Sequence, residues 1–133
     1  MKVHHIGYLV QNVEAASKQF AMLGFTELSK VIYDPYRGTD ILFMENDGGY
    51  RIELIAPKHE KSEMWKQLKK RGAMPYHICY IAEDIEKEIA GILENGHGEY
   101  KLLSQPEKAP AINEKRVAFL YGEDIGLMEL VEG

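Results

Sequence analysis

Four residues of this chain, His5, Glu53, His77 and Glu129, have types and spacing suited to holding a divalent metal. The stretch HIGYLVQNVE from His5 to Glu14 recurs as HICYIAEDIE from His77 to Glu86. Each copy is followed by a strand-like segment with a central glutamate, RIELI and LMELV, so each copy supplies one His and one Glu. Side chains alternate across a strand, which puts Val3, His5, Gly7 and Leu9 on one face and Ile6, Tyr8 and Val10 on the other. Glu53 is flanked by Ile52 and Leu54, His77 by Tyr76 and Ile78, and Glu129 by Met128 and Leu130, the same pattern each time. A carboxylate set mid-strand among apolar neighbours is expensive to bury unless a cation or hydrogen-bond donors compensate it. One His on a strand is more often a hydrogen-bonded core residue, and one mid-strand Glu can simply face water. The repetition of the pair is what points to a metal. Two imidazoles and two carboxylates suit a first-row divalent ion with positions left for water or substrate, and differ from the thiolate-rich sets of structural zinc.

Other chemically capable residues carry less weight. His4 points away from His5, and His59 and His97 fall in linker or turn positions, so all three read as structural or surface residues. Cys79 faces the same way as His77 and reads as a small core thiol. Arg51 shares a strand face with Glu53 and is the first choice to meet an anionic substrate, followed by Arg37, Lys115 and Arg116. Lys66, Lys69, Lys70 and Arg71 read as a solvated helix face.

The elements that must position these residues follow from the periodicity. Residues 2–10 form a β-rich run, and Val13, Ala16, Phe20 and Leu23 then recur at helical spacing, capped near Asn12 and stopped at Gly24. Strands are expected at about Thr26–Tyr33, Thr39–Glu45 and Tyr50–Ile55, separated by the turn-rich segments DPYRG and NDGG. The second half repeats this βαβββ order, with a strand at Tyr76–Ala82, a helix at about Ile85–Glu94, and strands near Glu99–Leu103, Lys115–Tyr121 and Leu127–Val131. The copies are offset by 72 residues at the histidines and 76 at the glutamates, so four residues are extra in the second. They are expected in the loop SQPEKAPAINEK or the turn GEDIG. Between the halves, Met64, Trp65 and Leu68 lie on one side of a charged segment, predicting a connecting helix. The organisation is thus one domain of 133 residues, with module 1 at about 1–57, a linker helix at about 58–73 and module 2 at about 74–133.

Composition narrows the function classes. A hydrophobic content of 45% is ample for a packed interior. No apolar run approaches the roughly 20 residues of a membrane-spanning helix. The net charge of −5 disfavours nucleic acid as a partner. The single cysteine cannot form an intrachain disulfide, and the first residues, MKVHHIGYLV, lack the uninterrupted apolar segment of a secretory signal. A soluble, cytoplasmic protein acting on a small molecule is expected.

These residues resemble a known family. HIG near the start, IEL in the fourth strand, YHI at the start of the second half and MEL at the end are similar to the vicinal oxygen chelate superfamily, which includes glyoxalase I, methylmalonyl-CoA epimerase, extradiol dioxygenases and fosfomycin-resistance proteins. The resemblance covers essentially the whole chain. It implies an α+β fold in which two βαβββ modules form a cupped, barrel-like mixed β-sheet with flanking helices, often as a homodimer. It also implies metal ligands at His5, Glu53, His77 and Glu129. Four ligands argue against the 2-His-1-carboxylate iron chemistry of the dioxygenases and favour isomerising members. The set His, Glu, His, Glu resembles bacterial glyoxalase I (lactoylglutathione lyase), implying Ni(II) or Co(II) in preference to Zn(II) and a thiol cosubstrate such as glutathione. In that reading the hemithioacetal of methylglyoxal becomes an S-lactoyl thioester through an enediolate, with Glu129, or Glu53 for the other diastereomer, moving the proton. Leu9 and Pro57 stand where that enzyme often has an Arg and an Asn that help hold glutathione. The alternatives are a methylmalonyl-CoA epimerase-like isomerase, whose relatives in part carry Gln at the second ligand position, and a non-catalytic small-molecule-binding member of the fold.

Overall fold

The computed structural model describes all residues 1–133. The fold class is α+β, as expected, with three α-helices and ten strands in mixed parallel and antiparallel pairing. The chain divides into two compact units: His5–Tyr76, and Met1–His4 together with His77–Gly133. The first strand, β1 (Val3–Leu9), therefore begins in one unit and continues in the other. The Ile81 amide donates to the Lys2 carbonyl at 2.8 Å, tying the N-terminal residues to the second module. No helix is long and apolar enough to cross a membrane.

In the first module β1 leads into α1 (Val13–Ala21), and β2 (Phe25–Glu27), β3 (Ile32–Asp34), β4 (Thr39–Asn46), β5 (Arg51–Pro57) and α2 (Glu63–Arg71) follow. The strand order is β2-β4-β5-β1, with β3 also on β4. Asn12 caps α1 as expected, its side chain accepting the Ala15 amide at 2.8 Å. The helix stops at Ala21, short of Leu23, because the Met22, Leu23 and Gly24 amides each bond the carbonyl three residues back. That tighter turn moves Met22 and Leu23 out to solvent. Gly24 then takes a positive φ of 90°, which a side chain would oppose. Val10, Val13, Leu42, Met44, Ile52, Leu54 and Ala56 form the core between helix and sheet. Tyr8, Phe20 and Phe25 extend it, with T-shaped ring contacts at 5.2 and 5.5 Å.

The second module follows the same plan: β6 (Met74–Ala82, in this unit from His77 onward), α3 (Ile85–Asn95), β7 (Tyr100–Leu102), β8 (Glu107–Ala109), β9 (Lys115–Gly122) and β10 (Gly126–Glu132). Its order is β6-β10-β9-β7, with β8 also on β9. Ala82, Ile85, Ile89, Ala118, Leu120, Met128 and Leu130 form its core. Gly96 matches Gly24 in sequence but has an ordinary φ of −78°. Here glycine is required by close approach, since a Cβ would lie 2.5 Å from the Tyr100 ring and 2.7 Å from the Ile92 carbonyl oxygen.

Three sequence expectations need correction. The single strand expected at Thr26–Tyr33 is two, because β2 pairs with the end of β4 and β3 with its start, and the intervening residues cross between them. Its counterpart in the second module, β8, lies within the segment read as a loop and pairs with the start of β9. Three of the four extra residues of the second copy also sit elsewhere, while one lies in the expected loop SQPEKAPAINEK. Phe25 follows Gly24 directly, whereas Tyr100 follows Gly96 only after His97, Gly98 and Glu99, so three of the four lie between α3 and β7. The fourth lies between β8 and β9, where five residues replace the four between β3 and β4. The GEDIG turn holds none of them.

Candidate metal centre

In the first module, β1 and β5 run parallel with Gly7 opposite Glu53, so His5 and Glu53 project from the same sheet face on adjacent strands. His5 Nε2 lies 3.3 Å from Glu53 Oε1. Antiparallel β4 places Phe43 directly opposite Glu53, and its ring meets the His5 imidazole in a T-shaped contact, 5.1 Å between centroids at 84°. The second module repeats each step. Cys79 lies opposite Glu129 in the parallel β6–β10 register, and His77 Nε2 is 3.4 Å from Glu129 Oε1. Phe119 stands opposite Glu129 on β9 and meets His77 at 5.6 Å and 79°.

All four polar residues are buried, none more than 5% exposed. Each pair sets a carboxylate against an imidazole nitrogen inside the protein, where a lone negative charge costs several kcal/mol and an imidazole contact offsets only part of it. A cation would complete that balance. The donors of each module fit one chemically: imidazole nitrogens and carboxylate oxygens are the ligands that first-row divalent ions accept, and each module offers one of each.

The two phenylalanines are functional candidates that the sequence reading missed. Their signal was present, because Phe43 and Phe119 are separated by 76 residues, the same offset as Glu53 and Glu129. Periodicity alone reads them as ordinary strand residues.

The remaining expected residues fall in different settings. Arg51 is half-buried on β5, two residues from Glu53, with Nη2 3.8 Å from Glu45 Oε1 across the β4–β5 pair. Arg37 Nη1 donates to Asp34 Oδ2 at 2.7 Å, while Asp34 Oδ1 accepts the Tyr36 amide, so this arginine braces the β3–β4 turn. Arg116 donates from Nε to Glu132 Oε1 at 2.9 Å and from Nη1 to Glu86 Oε1 at 2.5 Å, joining β9 and β10 to α3. These hydrogen bonds hold both carboxyls below the usual carboxylate range and keep the guanidinium more firmly protonated. Lys115 is exposed, as are His59 and His97; His4 is half-buried and Cys79 is a buried thiol.

Comparison with known proteins agrees with this architecture. No curated protein matches the sequence. Among solved structures, hypothetical protein BH1468 from Bacillus halodurans C-125 is 29% identical, with a TM-score of 0.83 over 99% of this chain and 94% of its own. A variant of Streptomyces coelicolor methylmalonyl-CoA epimerase in complex with 2-nitronate-propionyl-CoA is 25% identical, with a TM-score of 0.84 over 100% of this chain and 94% of its own. Mycobacterium tuberculosis methylmalonyl-CoA epimerase, at 23% identity and a TM-score of 0.84 over 98% of this chain and 86% of its own, shares the fold. The sequence model of one family covers residues 4–119, nearly the whole chain. With that match, this chain belongs to the Glyoxalase/Bleomycin resistance protein/Dioxygenase superfamily.

Proposed function

We propose that His5, Glu53, His77 and Glu129 together bind one divalent first-row ion, and that the protein is a metal-dependent isomerase moving a proton on a carbon next to a carbonyl group. The observation that carries this reading is the repetition, in two modules, of a buried His–Glu contact at 3.3 and 3.4 Å. Each of the four offers one donor atom. Two carboxylates would balance the charge of a divalent ion, with the imidazoles completing a nitrogen and oxygen set.

The substrate class favoured first is an acyl-CoA thioester carrying a carboxylate on its second carbon, epimerised at that carbon. Its support is the 25% identity across the whole chain to an epimerase whose structure holds a propionyl-CoA nitronate. Fold alone does not fix a substrate, so the reading rests on the donor set as well. The ion, when bound, would supply Lewis-acid polarisation of the substrate carbonyl, making the adjacent C–H acidic. Glu129 is the base of this chain, its carboxylate taking the proton from one face of that carbon, and Glu53 is the acid that delivers a proton to the opposite face, as inversion requires. His77 Nε2 lies 3.4 Å from Glu129 Oε1, and the apolar ring of Phe119 packs against that imidazole. Arg51, beside Glu53 on β5 and at the longer distance of 3.8 Å from Glu45, and the exposed Lys115 are the cations favoured for an anionic group of the substrate, because Arg37 and Arg116 meet carboxylates of their own chain more closely.

One observation favours a second reading. A carboxylate at position 53, where an amide occurs in some epimerases, matches the glyoxalase set, in which the same chemistry converts the hemithioacetal of methylglyoxal and a thiol such as glutathione to an S-lactoyl thioester.

A single experiment separates the readings. Metal-free protein is reloaded with Ni(II), Co(II) or Zn(II) and given methylmalonyl-CoA in deuterium oxide, with exchange at the second carbon followed by NMR. Thioester formation from methylglyoxal with glutathione or another thiol is followed in parallel. Metal-dependent exchange is the expected result. Thioester formation without exchange would transfer the assignment to a glyoxalase, and neither reaction with any metal would leave a binding protein of this fold.

A further inference from the structure

We propose that Phe43 and Phe119 are positioning residues that fix the orientation of the His5 and His77 imidazoles for metal binding. The inference rests on the metal reading above, but its geometry stands within each module separately. A histidine on a strand has two rotatable side-chain bonds, and the second is broad, so contact with one carboxylate oxygen does not by itself fix the plane of the ring. A T-shaped aromatic neighbour does, because its edge and face fit only a narrow range of tilt.

The arrangement occurs in both modules with the same parts. The phenylalanine is opposite the glutamate across an antiparallel pair, Phe43 to Glu53 and Phe119 to Glu129. Residues opposed in this way share a sheet face and stand about 5 Å apart at Cβ. The histidine reaches the same face from the strand on the other side of the glutamate, β1 in one module and β6 in the other. Each imidazole is thus held by a carboxylate at Nε2 and by a ring at 79–84° to its own plane. Core packing would require only an apolar side chain at these two positions. The recurrence of the same residue, in the same register and at nearly the same ring angle, is what a positioning role explains.

The test replaces each ring with an aliphatic side chain: Phe43→Leu, Phe119→Leu and the double variant, with Phe119→Tyr as a variant that keeps the ring. Phe119 is the less buried of the two, so its variants retain the fold even where Phe43→Leu does not. Two measurements are made. In metal-free, histidine-labelled protein, the imidazole proton shifts report ring contact; those of the facing histidine are expected to move in the Leu variants and to stay near wild type in Phe119→Tyr. With cobalt chloride as probe, each Leu variant is expected to bind Co(II) about two- to tenfold more weakly, with an altered visible spectrum, and Phe119→Tyr to restore both. Unchanged imidazole shifts, or Leu variants with wild-type affinity and spectrum, would overturn the proposal. Failure of the wild-type protein to take up any Co(II), with the imidazole shifts behaving as expected, would instead remove the metal reading and with it the role assigned to the rings.

Discussion

Glu129 is 3% exposed and holds one carboxylate oxygen 3.4 Å from His77 Nε2, with the Phe119 ring against that imidazole. A base in such a setting acts through its charge, which an amide of the same shape lacks. Glu129→Gln is therefore expected to lower turnover by about 100- to 10,000-fold while leaving the far-ultraviolet circular dichroism unchanged. Normal turnover in that variant would take Glu129 out of the mechanism. At this scale the sequence was informative about His5, Glu53, His77 and Glu129, because a polar residue on an apolar strand is conspicuous and was duplicated. It was uninformative about Phe43 and Phe119, whose hydrophobicity matches their surroundings. It also gave no sign that Arg116 meets Glu86 and Glu132, since those partners lie 30 and 16 residues away.

That arginine makes an element-scale prediction possible. Arg116 joins β9 to β10 through Glu132 and to α3 through Glu86, and its hydrogen bond is the first cause holding the Glu132 carboxyl below its ordinary value of 4.5. A carboxyl depressed in the folded state contributes stability that is complete above its unfolded value and is lost as the pH falls through the lower folded value. The contribution is modest, because the groups are partly solvated. Arg116→Met should thus lower the melting temperature slightly at neutral pH, and the gap to wild type should close as the pH drops below 4.5. A gap constant across that range would show that the ion pairs contribute nothing. Elements with strong local signals were legible: α1 by its spacing and Asn12, and α3 by the matching run after Asp84. The edge strands were not, because β3 and β8 have three residues each and exist only through pairing with β4 and β9.

For the whole molecule, the proposal that one ion draws ligands from both repeats has a thermodynamic consequence. A ligand that binds only the folded state stabilises it by about 2.7 kcal/mol at a hundred times its Kd. Saturating Co(II) or Ni(II) should therefore raise one cooperative unfolding transition, and a chelator should reverse the rise. Calorimetry showing two transitions, only one of them moved by metal, would assign the ion to one module's pair alone. The sequence by itself determined the duplicated βαβββ plan, the faces of the strands that bear His and Glu, and the exclusion of a helical membrane span, because these follow from local periodicity and from residue type. Only tertiary structure decided which side chains meet: the parallel register that sets Gly7 beside Glu53 and Cys79 beside Glu129, the phenylalanines opposite both glutamates, and the arginines withdrawn into ion pairs. Those contacts join residues far apart in the chain. Their partners are chosen by strand pairing and by the burial of charge, and neither leaves a mark within a short window of sequence.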